Sequence, residues 1–437
     1  MPGHDERTIK QLVDGAAASA DVLLAAESDP LSYALLAQHI DTTVVALNYF
    51  GVGRRDSVAF VLPNGPLAAS AFLALSCGAT CAPLNPSYRT EEFEFYLSDL
   101  EAKALVVEAG VESPATEAAQ KLGIPLLELK SRGSSAGAFV LQGEPGAAPA
   151  RAGLAGPDDV AMVLHTSGTT ARPKIVPLSH RNVCASAGNI ARTLALTPQD
   201  LCLNVMPLFH IHGLIGALLS SIAAGASVYC TPGFNAMKFF GWLDEVKPSW
   251  YSAVPTMHQA ILSRTSRNEQ IRGRHTLRLI RSSSAALPPQ VLKELEEAFG
   301  VPVVESYGMT EAAHQMASNP LPPAPRKPGS VGPAAGPEIG IMDDAGQLLA
   351  PGAIGEVVIR GANVTAGYAR NPEANASAFT RGWFRTGDQG RLDEDGYLYI
   401  TGRREGIVNR GGEKISPRQV DEALISKSPA DKALPSI

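Results

Sequence analysis

The 437-residue chain has no basic excess, few cysteines and no long apolar run, and each absence narrows what it can do. There are 37 basic residues against 43 acidic ones, a formal charge of −6. This is not the footprint of a nucleic-acid binder, so no nucleic acid is expected as a partner. Any anionic ligand must be held by local groups and not by a global field. The five cysteines, Cys77, Cys81, Cys184, Cys202 and Cys230, stand in or near apolar segments, at spacings that fit no metal site. They read as buried free thiols in a reducing compartment. The longest apolar stretches, such as residues 67–77, fall short of the ~20 residues a membrane helix needs. The N-terminus is polar and carries no signal-peptide pattern, so the expected location is the cytoplasm. No Walker A spacing, G-x-x-x-x-G-K-[ST], occurs.

What is present is an alternation of short apolar runs with helical periods, and no internal repeat. Residues 1–50 read as helical, with an amphipathic period over 31–49. Strands are expected at 57–62, 79–83, 104–107, 160–164, 201–206, 226–230, 249–253, 277–281 and 301–304. Helices are expected at 67–77, from 90 onward with Thr90 as cap, and at 180–193 with Ser179 as cap. Further helices are expected at 213–224, 235–246, 255–265 and 288–299. Strands alternating with helices imply parallel sheets covered on both faces. Residues 131–157, rich in Gly, Ala, Ser and Pro, read as a long surface connection. From Pro328 the pattern changes to short strands at 338–342, 356–360 and 397–401, separated by turns. The expected fold class is α/β, with two parallel-sheet subdomains and a small β-rich one.

Four stretches carry chemistry. His165-Thr-Ser-Gly-Thr-Thr-Ala-Arg-Pro-Lys174 follows an apolar strand and precedes the Ser179 cap. Thr166, Ser167, Thr169 and Thr170 offer hydroxyls, Gly168 allows close backbone approach and Lys174 adds a positive charge. These suit a polyphosphate; the alternative is an ordinary Ser/Thr-rich surface loop. Glu305-Ser-Tyr-Gly-Met-Thr-Glu311 puts an aromatic ring beside a flexible glycine, then a hydroxyl and a carboxylate, fit either for a purine, a phosphate and Mg²⁺ or for a plain strand-end turn. In Trp383-Phe-Arg-Thr-Gly-Asp388 the terminal carboxylate offers two acceptor oxygens to a diol, though a Gly-Asp hairpin turn reads the same. Thr401-Gly-Arg-Arg-Glu405 and Asn409-Arg-Gly-Gly-Glu-Lys-Ile415 read as a charged loop before a helix.

Together, in this order, these stretches resemble the motifs T-S-G-T-T-G-x-P-K, Y-G-x-T-E and Y-x-T-G-D of the adenylate-forming superfamily of acyl- and aryl-CoA synthetases, luciferases and peptide-synthetase adenylation domains. Ala171 stands where the family has Gly, Ile175 where a second Gly is frequent, and Phe384 where it has Tyr. The resemblance implies an AMP-forming acid–CoA ligase using ATP, Mg²⁺ and coenzyme A. It implies nucleotide contacts at Thr166 to Thr170, Lys174, Ala285, Tyr307 (stacked on adenine), Thr310 (α-phosphate), Asp388 (ribose) and Arg403. Glu311 would bind the metal, and Lys174, Thr310, Glu311 and His210 would carry the chemistry. Luciferase-type oxygenation shares the motifs, but nothing in the sequence supports it.

The acyl pocket is read from Pro207 to Leu214 and from Arg281 to Leu287. His210 and His212, with Ser284 and His314, suit a small acid whose second carboxylate needs donors. The combination F-H-I-H-G, M-T-E-A-A-H, S-N-P-L-P-P and N-R-G-G-E-K-I-S-P resembles oxalyl-CoA synthetases, so oxalate is the expected acid, with malonate, a coumarate-type acid or a fatty acid as alternatives. By resemblance residues 1–404 form the AMP-binding domain and Glu405 is the hinge to a smaller domain begun by 405–437. No P-x-x-x-x-G-K follows Lys414, so that small domain is expected to be largely missing. Slow adenylation, or a nucleotide-binding fragment without catalysis, is the matching expectation.

Overall fold

The computed structural model describes residues 7–166 and 173–403, with the backbone of 408–410 and 413–415. Residues 1–50 are not helical throughout: β1 (Asp21–Leu24) and β2 (Leu31–Ser32) precede the helix Tyr33–Tyr49. Val22 and Leu23 are fully buried at the edge of the second sheet described below. A run that short carries no period that separates strand from helix.

The first sheet contains β3 (Ser57–Val61), β4 (Thr80–Pro83), β5 (Ala104–Glu108), β6 (Leu126–Ser131), β7 (Phe139–Gln142), β8 (Val160–Thr166) and β9 (Lys174–Ser179). Its order is β7-β6-β5-β3-β4-β8-β9, parallel within and antiparallel at both edges. Both edge strands were invisible to sequence reading. β7 lies inside the expected surface connection and is fixed by pairing with β6. β9 interrupts the expected passage from strand through loop to helix: it pairs antiparallel with β8, Thr166 opposite Lys174.

The second sheet adds β10 (Leu201–Asn204), β11 (Ser227–Cys230), β12 (Trp250–Ala253), β13 (Leu279–Ser282), β14 (Val303–Met309) and β15 (His314–Ser318). Its order is β15-β14-β13-β12-β10-β11-β1-β2, again parallel within, with β2 and β15 antiparallel at the edges. Between the sheets run the helices Tyr33–Tyr49, Pro66–Ser76 and His180–Thr193 and a π-helical segment, His212–Leu219, where an α-helix from 213 was expected. Residues 68 to 76 are buried on every side, which explains a helix built from Ala, Ser, Leu and Phe72 with no polar face. His180 joins the layers: its Nδ1 accepts from Ile9 N at 3.2 Å and its Nε2 donates to the Ser76 carbonyl at 2.9 Å.

The third sheet is five-stranded and antiparallel: β16 (Glu338–Met342), β17 (Gly355–Arg360), β18 (Phe379–Thr380), β19 (Trp383–Leu392) and β20 (Leu398–Arg403). Residues 383–388 are therefore strand and not turn, and Thr401 to Arg403 end β20 instead of opening a loop. β21 (Val408–Arg410) and β22 (Glu413–Ile415) pair antiparallel. The boundary at 404 and the hinge Glu405 lie outside the described residues. No described helix is long and apolar enough to cross a membrane.

Helix caps follow the sequence with one correction. Arg89, not Thr90, is the cap of Thr90–Asp99: its backbone N–H donates to Glu92 Oε2 at 2.9 Å, while the Thr90 hydroxyl donates to Glu117. Ser179 caps His180–Thr193 as expected, its Oγ accepting from Asn182 N at 3.2 Å and its N–H donating to Asn182 Oδ1 at 2.9 Å. Ser179→Ala is expected to cost about 1 kcal/mol, read as a lower denaturant midpoint at unchanged slope. An unmoved midpoint would show that this cap contributes nothing.

Candidate active site

Lys174 and Glu311 come from different sheets and meet through one connecting segment. Lys174 opens β9, and Glu311 lies in the 3₁₀ turn Thr310–Ala312 between β14 and β15. Asn363 donates to the Ala312 and Gln315 carbonyls at 2.8 and 3.0 Å. Thr365 N–H donates to the Glu311 carbonyl at 2.7 Å, and the Thr365 hydroxyl to that of Pro177 in β9 at 2.7 Å. The segment thereby carries Tyr368 between the two charges: its hydroxyl donates to Glu311 Oε1 at 2.9 Å, and Lys174 Nζ sits 4.9 Å from its ring centre. Burial raises the Glu311 carboxyl above its usual range, against the pull of the Tyr368 hydroxyl and the Lys174 charge.

A second cluster joins β14 to the third sheet. Each residue of Arg385-Thr-Gly-Asp388 has a separate task. Arg385 Nε donates to Glu356 Oε2 at 2.8 Å, and the Thr386 hydroxyl to the Val357 carbonyl at 2.8 Å. Gly387 takes φ +76°, where only glycine is unstrained, and the ladder shifts register there. Asp388, 8% exposed, then accepts from the Tyr307 hydroxyl through Oδ2 and from Arg403 Nε through Oδ1 at 3.3 Å. Burial raises Asp388, while the Tyr307 hydroxyl and Arg403 act against it; burial and then the Asp388 charge push Tyr307 far up. Tyr307 to Met309 belong to β14 and are not a turn. Gly308 serves contact and not flexibility, since a Cβ there would stand 1.8 Å from the His314 carbonyl oxygen.

The third cluster lies behind the expected acyl pocket. His212 and His314 stack with ring centres 4.9 Å apart, both buried. His212 Nδ1 is 2.9 Å from Ser284 Oγ and its Nε2 is 2.6 Å from Ser252 Oγ. Arg281, wholly buried in β13, donates through Nη1 to His314 Nε2 at 3.1 Å and Ser252 Oγ at 3.3 Å, and through Nη2 to Gln315 Oε1 at 3.3 Å. These partners are all neutral. Burial lowers Arg281 to about 9, and burial followed by the Arg281 charge holds both histidines well below the ordinary imidazole range. Ser284 has φ +72° and His314 φ +96°, strained values for residues with a Cβ.

The structure thus brings together Lys174 with Glu311, Tyr307 with Asp388 and Arg403, and His212 with Ser284 and His314. Thr166 faces Lys174 across the hairpin, Thr310 opens the turn that holds Glu311, and Ala285 is exposed beside Ser284. His210 is exposed against Phe209, and its ring makes no hydrogen bond among the described residues. Ser167, Gly168, Thr169 and Thr170 lie outside them. Among the described residues no three metal-binding side chains cluster, so the single carboxylate of Glu311 fits an ion that keeps its waters and takes phosphate oxygens, as Mg²⁺ does. Arg281, Ser252, Gln315 and Tyr368 were missed. Only Arg281 left a signal, a charge inside an apolar strand.

Burial also lowers His180 and His258 to about 4. With His212 and His314 held low as well, the unfolded chain takes up more protons than the folded one between about pH 6.5 and 4. Stability is therefore present above that window and lost as pH falls through it, by at most about 1.4 kcal/mol per histidine per pH unit. Glu311 and Asp388, raised in the fold, act in the opposite direction and are fewer. The thermal midpoint is expected to drop between pH 7 and 5; a flat profile would contradict neutral burial of these rings.

Comparison with known proteins gives the family. The model of the family described as AMP-binding enzyme matches residues 10–369. An oxalate–CoA ligase of Arabidopsis thaliana is 47% identical over 382 residues, covering 86% of this chain and 74% of that protein. An oxalate–CoA ligase of Saccharomyces cerevisiae is 42% identical over 415 residues, covering 88% and 75%. Among solved structures, ATP-bound MatB from Rhodopseudomonas palustris superposes with TM-score 0.84 at 30% identity, covering 97% of this chain and 83% of that one. O-succinylbenzoate coenzyme A synthetase from Bacillus subtilis, in complex with ATP and magnesium ion, gives 0.80 at 28%, covering 96% and 84%. With the family model spanning most of its length, the chain belongs to the AMP-binding, adenylate-forming acyl-CoA synthetase family.

Proposed function

We propose that the chain activates oxalate with ATP and passes the acyl group to coenzyme A, releasing AMP and pyrophosphate. The observation that carries the choice of acid is the cluster of Arg281, His212, Ser252 and His314 behind Ser284. A long acyl or aromatic chain calls for apolar walls, whereas a second carboxylate calls for donors. The two relatives named oxalate–CoA ligase, at 47% and 42% identity, support the same acid.

In the first step a carboxylate oxygen attacks the α-phosphorus of ATP. The bond to pyrophosphate breaks and a mixed anhydride with AMP forms. In the second, the thiolate of coenzyme A attacks the acyl carbon and AMP leaves. The chain's task is to orient the reactants and neutralise charge. Lys174 and the hydroxyls of residues 166–170 hold phosphate oxygens, with Thr310 at the α-phosphate. Tyr307, Asp388, Arg403 and Ala285 hold the nucleoside; the Tyr307 hydroxyl already orients the Asp388 carboxylate toward one edge. Glu311 would hold Mg²⁺, which supplies phosphate charge neutralisation. His210 stands at the pocket mouth, and Ser284 faces the second carboxylate with His212 and His314 behind it. Glu405 is the hinge between the two steps.

Pyrophosphate release and thioester formation across oxalate, malonate, a coumarate-type acid and a fatty acid, with and without coenzyme A, test the reading. Oxalate is expected to give the highest kcat/KM. A preference for an aromatic or long-chain acid would overturn the substrate, and silence with every acid despite ATP binding would leave a nucleotide-binding module. Glu311→Gln is expected to lower kcat/KM for ATP by about 10²-fold, and Tyr368→Phe by less. Full activity in Glu311→Gln would remove that residue from the mechanism.

A further inference from the structure

A guanidinium has five N–H donors and no acceptor, so it sets the direction of every hydrogen bond it makes. Arg281 meets two groups that can act either way, Ser252 Oγ at 3.3 Å and His314 Nε2 at 3.1 Å. Both must accept. His314 therefore carries its proton on Nδ1. Ser252 is 1% exposed, and the partner left for its own proton is His212 Nε2 at 2.6 Å. That nitrogen accepts, so His212 is protonated at Nδ1 and donates to Ser284 Oγ at 2.9 Å. The reverse direction would strand the Ser252 proton without an acceptor in a buried site.

We propose that Arg281 is a positioning residue whose one-way hydrogen bonding, relayed through Ser252 and His212, turns the Ser284 hydroxyl into a donor aimed at the acid substrate. Ser284 has no further hydrogen-bond partner among the described residues, is exposed at the end of β13 and keeps a strained φ of +72°. A carboxylate only accepts. A Ser284 that donated to His212 would turn lone pairs toward it, whereas one that receives from His212 turns its proton there. The guanidinium itself stays sealed behind the relay. Its orientation is fixed from the far side by Gln315, whose amide nitrogen is committed to Thr193 Oγ1 and the Ala335 carbonyl, both at 3.1 Å, leaving Oε1 for Arg281. The assignment deepens the proposed function and rests on Ser284 lining the acyl pocket.

The direct test is the ¹⁵N imidazole spectrum of the whole chain without substrate, assigned with His212→Gln and His314→Gln. Both rings are expected to show a protonated Nδ1 and a bare Nε2. Arg281→Lys, still donor-only, is expected to keep that tautomer at His212, while Arg281→Met and the smaller change Ser252→Ala release it. Steady-state kinetics supply the second arm. Ser284→Ala is expected to raise the KM for the diacid about tenfold with little change in kcat or in the KM for ATP. Ser252→Ala should raise it by less, and the double variant should be no worse than Ser284→Ala alone, since both sever one chain. An Nε2-protonated His212, or losses that add in the double variant, would overturn the relay. If a monocarboxylic acid proves to be the better substrate, the oxalate reading fails while the tautomer result still decides the relay.

Discussion

One buried amide, that of Asn363, holds the site together. Its nitrogen spans the carbonyls of Ala312 and Gln315, the two ends of the turn that leads from the Glu311 carboxylate to the His314 ring. Two residues on, Thr365 ties the same segment to Glu311 and to β9. Asn363 is 1% exposed, so removing its side chain would take a buried donor from both carbonyls. With the Ala369 N–H, which donates to the Ile175 carbonyl at 3.0 Å, this joint brings Lys174, Tyr368 and Glu311 within reach. Here the ends of the two parallel sheets meet the strands of the third.

The same region collects the unfavourable features that a fold of this size ordinarily avoids. Arg281 is buried against neutral partners, and burial disfavours the charged forms of Glu311 and Asp388. Ser284, Ala313 and His314 all have positive φ without being glycine. Buried charge and backbone strain persist only where surrounding structure over-determines them. The surroundings here are two sheets with three helices and a π-helical segment packed between them.

Reading the sequence succeeded where a residue's role is local. The Ser179 cap, the small-residue helix near 67–77, the parallel alternation and the three-part architecture follow from spacing and composition, because helix capping and strand periodicity act over a few residues. It failed at the edges. β1, β7 and β9 exist because a neighbouring strand offers its unpaired backbone, which no short window records. The Trp383–Asp388 stretch read as a turn because it contains Thr-Gly-Asp, yet pairing with β17 and β20 makes it a bulged strand whose left-handed Gly387 aims Asp388 at Tyr307.

By itself the sequence determined the class of fold, the family's motifs by resemblance, and the lack of a basic excess. Tertiary structure alone decided which of these side chains touch. Tyr368 reaches Glu311 from 57 positions away, and Arg281 meets His314 and Gln315 across 33 and 34. Contacts of that span depend on how strands order themselves in a sheet. That order is set by backbone pairing and by burial summed over the whole chain, and no single stretch of residues holds that information.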